Sequence, residues 1–111
     1  MLVARTPEAA KVYAFKQLKN YKWNTPKQKA CLVELWRRES NWRPNALNKQ
    51  PVKVLDNGKW ISVHAGGIPQ ILGLDRKLSV EKQITAGLIY IQNRYQNPCR
   101  ALTHHNQVNW Y

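Results

Sequence analysis

One carboxylate in this chain lies where a solvated surface carboxylate is not expected. Segment 31–42 reads CLVELWRRESNW, and at about 100° per residue Glu39 shares a helical face with Leu32, Leu35 and Trp36. The other charged side chains of the segment fall on the opposite face: Glu34, Arg37 and Arg38. Apolar surroundings and the negative end of a helix dipole both disfavour a charged carboxylate. We therefore expect the pKa of Glu39 to be raised towards the range of a general acid near neutral pH.

A plainer interpretation of Glu39 is also open. A glutamate at the rim of an apolar stripe can extend into solvent, or it can pair with Arg38 or Arg43. For an arbitrary protein this interpretation is the commoner one. The choice therefore depends on the motifs that follow Glu39.

The helix that carries Glu39 has clear start and stop signals. Thr25 can cap it, Pro26 fits the first helical position, and Gln28 completes a Thr-x-x-Gln capping box. Arg43 precedes Pro44 and is disfavoured in the helical region. These signals predict a helix over about residues 26–42.

Further elements follow from the same kinds of signal. Thr6-Pro7-Glu8 predicts a helix to about Lys19, with one side formed by Ala9, Val12, Tyr13 and Lys16. Asn57-Gly58 between VKVLD and KWISV predicts a hairpin over residues 52–63 with a type I′ turn, which must lean on the helices or on a ligand.

A third long helix is predicted near the C-terminus. Ser79 caps it, and the helical period continues to about Tyr95. Gly87 in mid-helix suggests that another backbone crosses close by. The segment after Pro98-Cys99 has too little pattern for a prediction. The expected fold is mainly α (α+β), with one small β-hairpin.

Length and charge limit the function classes. The chain has 111 residues, 43% of them hydrophobic, which fits a single domain over residues 1–111. Its 18 Lys and Arg against 6 Asp and Glu give a net charge of +12. This charge draws the protein to polyanions, which include nucleic acid, an anionic membrane surface and a bacterial cell wall.

No apolar run is long enough to cross a membrane, so we expect no membrane insertion. The N-terminus, MLVARTPEAA, lacks the apolar core of a signal peptide. Either export follows another route, or the sequence is a processed piece of a larger protein.

Cys31 and Cys99 are the only cysteines. A bridge between them would close a long loop and contribute about 4 kcal/mol in the chain-entropy model. Two buried free thiols are equally compatible with the spacing. If the bridge forms, the protein works in an oxidising compartment.

Five motifs occur in the order seen in one enzyme family. They are Glu39-Ser40-x-Trp42, Pro44-x-Ala46, Gly67-Ile68-Pro69-Gln70, Ala86-Gly87-Leu88-x-Tyr90-Ile91-x-x-Arg94-Tyr95, and Pro98-Cys99 with the terminal Trp110-Tyr111. Over about residues 23–111 the chain resembles lytic transglycosylase domains. It is most similar to the small transglycosylase-like domains of secreted bacterial proteins and phage tail proteins.

The resemblance implies a lysozyme-like helical fold whose cleft binds the glycan strands of peptidoglycan. It makes Glu39 the catalytic acid and base. Ser40 would belong to the substrate site by holding the helix end, Gln70 would contact the sugar, and Tyr90 and Tyr95 would line the cleft. It also implies that the two cysteines form a disulfide.

The family further implies a setting and partners. We expect an extracellular, periplasmic or virion-associated monomer that needs no cofactor and no metal. His64, His104 and His105 lack a trusted metal-ligand spacing and are more often surface or packing residues.

The chain departs from the family pattern in two places. Gly66 stands where the family usually has Tyr before Gly-Ile-Pro-Gln, and the 52–63 hairpin lengthens a commonly short segment. The hairpin could form a lip over the substrate, with Trp60 as a stacking platform that binds sugar. Ordinary packing of Trp60 in a small sheet is equally compatible with the sequence.

The expected reaction is cleavage of the bond between N-acetylmuramic acid and N-acetylglucosamine. Standard glycosidases use two carboxylates, but here Asp75 is the best second candidate and a weak one. A single carboxylate fits the transglycosylase route, in which the N-acetyl oxygen and the C6 hydroxyl of the substrate act as nucleophiles and a 1,6-anhydromuramyl end forms. Hydrolysis by a water that Gln70 holds, as in a muramidase, stays open.

Two other classes of function compete with the enzyme. A wall-binding module would keep the cleft but cleave slowly. A nucleic-acid binder is supported by the charge and by aromatic residues interleaved with lysine, as in Tyr21-Lys22-Trp23, but the chain has no known binding motif. We expect no specific nucleic-acid partner.

Overall fold

The computed structural model describes residues 2–108, and it confirms a mainly α fold with a small β-hairpin. The predicted motif residues Trp110 and Tyr111 lie outside the described part. In chain order the elements are α1 (Pro7–Gln17), a 3-10 helix (Leu18–Tyr21), α2 (Pro26–Ser40), β1 (Val52–Asp56), β2 (Lys59–Val63), β3 (Ala65–Gly66), β4 (Ile71–Leu72), α3 (Val80–Tyr95) and α4 (Pro98–Val108). Within residues 2–108, no helix combines the length and apolar composition needed to cross a membrane.

The core forms where the apolar faces of the helices meet. The buried side chains of α2 and α3 are mainly large and apolar: Leu32, Leu35, Trp36, Ile84, Leu88 and Ile91. From the first helical segment the buried residues are Ala10, Ala14 and Leu18. The buried side of α1 is therefore not the side formed by Ala9, Val12, Tyr13 and Lys16. Val12 is 55% exposed, and the two small alanines, not the larger side chains, let this helix lie close to its neighbours.

Helix α2 begins as predicted but ends two residues earlier. Asn41 and Trp42 both have positive φ, 54° and 60°, and the Asn41 N–H donates to the Arg37 carbonyl. A bulky residue in this left-handed region costs about 1–2 kcal/mol. Burial of the Trp42 ring opposes that cost. The polar atom of the buried ring has a partner, because Nε1 donates to the Val33 carbonyl at 3.0 Å.

The start of α2 connects to the start of α4. Thr25 Oγ1 accepts from the Gln28 N–H, as predicted, but the Gln28 side chain does not close a capping box. Its Oε1 accepts instead from the Cys99 N–H at 3.1 Å. The predicted disulfide between Cys31 and Cys99 is confirmed, with Cα atoms 4.9 Å apart. Two bonds of different kinds thus attach α4 to α2.

The predicted hairpin and its type I′ turn are confirmed. Val52 pairs with Val63 and Asp56 with Lys59, and positive φ values of 50° at Asn57 and 80° at Gly58 fit the type I′ turn. Apart from the half-buried Val54 and Val63, the residues of both strands are exposed.

A second, very short sheet was not predicted. Ala65 and Gly66 of β3 pair with Leu72 and Ile71 of β4 and bracket the Gly-Ile-Pro-Gln turn. Strands of two residues are too short for an alternation of polar and apolar residues to be recognised in the sequence. A Cβ at position 66 would lie 2.5 Å from the Leu74 carbonyl oxygen, so this backbone has no room for the tyrosine of the family pattern.

Close packing explains Gly87 in α3. A Cβ there would lie 2.6 Å from Trp36 Cζ2 and 2.8 Å from Pro69 Cβ. The prediction of a close approach was right, but the neighbours are side chains and not a crossing backbone. Both are rigid rings, so neither can swing away.

Gly87→Ala is expected to destabilise the fold by up to about 2 kcal/mol. Overpacking against two rings costs about 1–3 kcal/mol, and the gain of about 1 kcal/mol in helix propensity offsets only part of that cost. The midpoint of urea unfolding measures the effect. Thr85→Ala, at an exposed position of the same helix, is the control and should stabilise slightly. Stabilisation by Gly87→Ala would contradict the packing that we describe.

Candidate functional site

A cleft of about 590 Å³ opens beside the C-terminal end of α2. Its walls come from α2, the segment after it, the base of the hairpin, the Gly-Ile-Pro-Gln turn and α4. The lining residues are Arg38, Glu39, Arg43, Ala46, Leu47, Asn48, Val52, Ala65, Gln70, Leu72 and His105. The wall is therefore apolar on the hairpin side and polar around Glu39.

Glu39 is buried in the wall of this cleft. Its side chain is 14% exposed, and burial raises its pKa to about 7. Neither arginine of the plainer interpretation pairs with it. Arg38 Nε donates to Glu34 Oε2 at 2.7 Å, and Arg43 Nε donates to the Ser40 carbonyl at 2.9 Å. The predicted desolvated carboxyl group is therefore present, and it is protonated below about pH 7.

The opposite face of α2 holds the charged cluster that its pattern predicts. Glu34 accepts from both Arg37 and Arg38, and these hydrogen bonds lower its pKa to about 2. The pKa values of two glutamates five positions apart on one helix are therefore shifted in opposite directions. The difference arises because one has arginine partners and the other is desolvated.

His105 contacts Glu39 and was missed as a site residue. Its Nε2 lies 3.1 Å from Glu39 Oε1, and its side chain is 11% exposed. Burial, followed by the charges of Arg38 and His104, lowers its pKa. The sequence assigns His105 to surface or packing because the contact crosses from α4 to α2, and α4 itself was not predicted.

Ser40 holds the end of α2 against the Gly-Ile-Pro-Gln turn. Its buried hydroxyl donates to the Ile68 carbonyl at 2.6 Å and does not line the cleft. Fully buried Gln83 fixes the same turn, because its Oε1 accepts from the Ile68 N–H at 2.9 Å. The sequence did not single out Gln83. The signal that could have indicated Gln83 is a polar residue on the apolar face of α3.

Gln70 lies in the cleft wall with Glu39, as predicted. Its φ is 53°, and its Nε2 donates to the carbonyls of Gly67, at 2.9 Å, and Ala46, at 3.3 Å. The amide nitrogen is thus held by the backbone. A side chain so constrained can present its Oε1 to a ligand without loss of further freedom.

Tyr90 lines a second hollow, of about 450 Å³, which shares Leu72 with the first. Burial raises the pKa of the Tyr90 phenol, while Arg94, 5.3 Å above the ring, opposes the shift and the charge of Glu39 adds to it. Tyr95 lines neither hollow. Its ring lies 5.1 Å from that of His104.

Trp60 does not reach the cleft. Its side chain is 66% exposed and pairs across the hairpin with Leu55. Val52, which lines the cleft, is an odd number of positions from Leu55, so the two point to opposite faces of the hairpin. Trp60 is thus neither packed nor placed over Glu39 in this structure.

No second carboxylate lines either hollow in the described part of the chain. Asp75 is exposed and accepts from the Lys77 N–H at 2.8 Å. Residues 2–108 also contain no group of three or more His, Cys, Asp or Glu side chains that could hold a metal ion.

Comparison of the chain with protein-family models, curated proteins and solved structures gives no match.

Glu39→Gln is expected to stabilise the protein in a pH-dependent way. Because the folded-state pKa of Glu39 is raised from 4.5 to about 7, folding opposes ionisation of this group, and stability is lost as pH rises through that window. The variant should therefore match wild type near pH 4 and exceed it by about 3 kcal/mol near pH 8. Urea unfolding across this range measures the difference.

Glu34→Gln is the matched control, with the opposite sign. The pKa of Glu34 is lowered, so its ionised form stabilises the fold above its usual pKa and this variant should not be the more stable one near pH 8. A Glu39→Gln advantage that does not change with pH would contradict the raised pKa.

Proposed function

We propose that this chain is a peptidoglycan-degrading enzyme, a lytic transglycosylase that cleaves the β-1,4 bond between N-acetylmuramic acid and N-acetylglucosamine. The observation that carries the proposal is Glu39: a desolvated carboxyl group with a pKa of about 7, in the wall of an open cleft. Desolvation keeps the proton on this group up to about pH 7. A protonated carboxyl group is what departure of a sugar oxygen requires.

The reaction uses Glu39 twice. As general acid, its carboxyl group gives its proton to the glycosidic oxygen while the bond from that oxygen to C1 of N-acetylmuramic acid breaks. As general base, the resulting carboxylate takes the proton of the C6 hydroxyl of the same sugar, whose oxygen bonds to C1. No water is consumed, and the product ends in 1,6-anhydromuramic acid.

The lack of a second carboxylate in the described cleft wall favours this route over hydrolysis. Enzymes that use two carboxylates place both beside the scissile bond. Here the substrate supplies the N-acetyl oxygen and the C6 hydroxyl in place of the second one. Hydrolysis at the same bond is the alternative reaction, and Gln70 is the residue that would hold its water.

The shape and charge of the site fit a long anionic polymer. The two hollows share Leu72 as a lining residue and therefore lie next to each other, with Glu39 in one and Tyr90 in the other. Arg38 and Arg43 line the part beside Glu39 and provide positive charge for the carboxylates that peptidoglycan carries on its peptides. The net charge of +12 adds long-range attraction to a polyanionic wall.

The resemblance to transglycosylase domains supports the same conclusion. Its motifs lie far apart in the sequence, and in the structure Glu39 and Gln70 lie in one cleft wall, with Tyr90 in the adjoining hollow. The Cys31–Cys99 disulfide fits an extracellular, periplasmic or virion-borne protein. A lysozyme-like fold and a monomeric state belong to this proposal.

A wall-binding module is the second candidate. The net positive charge favours it, because attraction to a polyanion does not depend on turnover. Such a module would bind intact cell wall, and substitution of Glu39 would leave its affinity for the wall unchanged. It would release no soluble fragments.

Wild-type protein is expected to release soluble muropeptides with 1,6-anhydromuramic ends from purified peptidoglycan. Glu39→Gln should lower the release at least about a hundredfold, because general acid catalysis contributes roughly that much or more. Mass spectrometry of the products measures both quantities. Glu34→Gln is the control and should retain activity, since this residue lies on the opposite face of the helix.

Three other outcomes would change the proposal. Reducing ends from wild type, lost in Glu39→Gln, would make the enzyme a muramidase. No products from either protein, with wall binding intact, would favour the module. Equal products from both proteins would remove Glu39 from the chemistry.

Arg43→Gln is expected to raise KM for peptidoglycan about threefold to fivefold, because one exposed charge pair contributes up to about 1 kcal/mol. Lys59→Gln changes the net charge equally at the exposed hairpin tip and should shift KM less than about twofold at moderate salt. Steady-state release of soluble wall measures KM. Equal effects of both variants would assign the attraction to overall charge and not to the cleft.

A further inference from the structure

The contact between His105 and Glu39 is the least explained feature of the cleft. The two side chains come from α4 and α2, both line the cleft, and His105 Nε2 lies 3.1 Å from Glu39 Oε1. This distance places the two largely buried groups in contact, within hydrogen-bonding range. A hydrogen bond here requires a proton on one of the two atoms, and the rest of the site indicates which one carries it.

The surroundings keep the imidazole uncharged. Titratable and charged groups around the pair come from α2, the segment after it, α3 and α4: Glu34, Arg38, Arg43, Tyr90 and His104. Glu34 is occupied by Arg37 and Arg38. Burial of the ring and the positive charge of Arg38 therefore oppose protonation of His105.

A neutral imidazole carries one N–H, on either Nδ1 or Nε2. His105 Nδ1 is buried and has no hydrogen-bond partner among the described residues. A buried N–H without an acceptor is rarer in proteins than a buried acceptor without a donor. The proton therefore belongs on Nε2, where Glu39 Oε1 accepts it.

We propose that His105 is a positioning residue, whose Nε2–H donates to Glu39 Oε1 and thereby reserves Oε2 for the acidic proton. The bond also fixes the rotation of the carboxyl group, because one oxygen is held by a ring on another helix. A carboxyl group fixed in this way presents its proton in one direction only.

The catalytic part of this inference rests on the proposed function. When Oε2 gives its proton to the glycosidic oxygen, the negative charge that remains is shared with Oε1, and the existing N–H bond becomes charge-assisted. No proton leaves His105. When the C6 hydroxyl returns a proton to Oε2, the pair regains its starting state.

Nitrogen-15 NMR of the wild-type imidazole tests the proton assignment directly, because the two tautomers have different shifts at the two ring nitrogens. We expect Nε2 protonated and Nδ1 bare at neutral pH. The opposite tautomer would overturn the proposal. This measurement needs no variant and no substrate.

Substitution tests the effect on Glu39. Carbon-13 NMR titration of the Glu39 carboxyl group should show its pKa about one unit higher in His105→Met, which loses the donor to the carboxylate. His105→Gln keeps an amide N–H and should remain close to wild type. His64→Gln is the control at a half-buried histidine that does not line the cleft, and it should leave the titration unchanged. An unchanged titration in His105→Met would overturn the proposal.

The kinetic expectation separates positioning from a merely structural role. His105→Met should lower kcat about tenfold and move the alkaline limb of the pH profile up by about one unit, with little change in KM. His105→Gln should restore most of both. Loss of activity without movement of the limb would overturn the proposal.

Two outcomes are distinct from these. If His105→Met does not fold, the wild-type tautomer and the His105→Gln titration decide. If wild type has the expected tautomer but releases no wall fragments, the proton assignment stands and the proposed function fails.

Discussion

The attachment of α4 to α2 decides the environment of Glu39. One end of the contact holds the disulfide and the hydrogen bond from Cys99 to Gln28, and the other holds His105 against Glu39. Without α4, one side of the Glu39 carboxyl group would face water and its pKa would fall towards the ordinary value. The covalent bond far from the cleft and the desolvation within it are therefore parts of one arrangement.

Local signals predicted the elements that local chemistry determines. The caps at Thr25 and Ser79 and the turn at Asn57-Gly58 follow from spacing alone. Spacing also placed Glu39 on the apolar face of its helix, but the choice of a buried carboxyl group over a solvated one depended on the motifs that follow it. Helix α4 was missed although Asn97-Pro98 repeats the cap-and-proline signal of the earlier helices. His105 could not be assigned to the site from the sequence, because a contact between residues on two different helices leaves no periodic pattern in the sequence.

The end of α2 and the Gly-Ile-Pro-Gln turn show a second limit of sequence reasoning. Trp42 takes a left-handed conformation that its residue type disfavours, and only its buried position opposes the cost. Gln83 fixes the turn by bonds to distant backbone groups, including the Pro44 carbonyl at 3.1 Å. Both depend on the assembled core. The cleft is thus built on backbone that tertiary contacts hold, and its two facing walls are stabilised together.

The hairpin is built in the opposite way, which has an evolutionary consequence. Its strands close on each other through the turn at Asn57-Gly58, and only Val54 and Val63 are half-buried, so its length and outer side chains can change without disturbing the core. Yet Val52 at its base forms part of the cleft wall. Selection can therefore vary this segment almost independently of Glu39, and related chains can diverge in the ligands they accept while the carboxyl group and its surroundings stay the same.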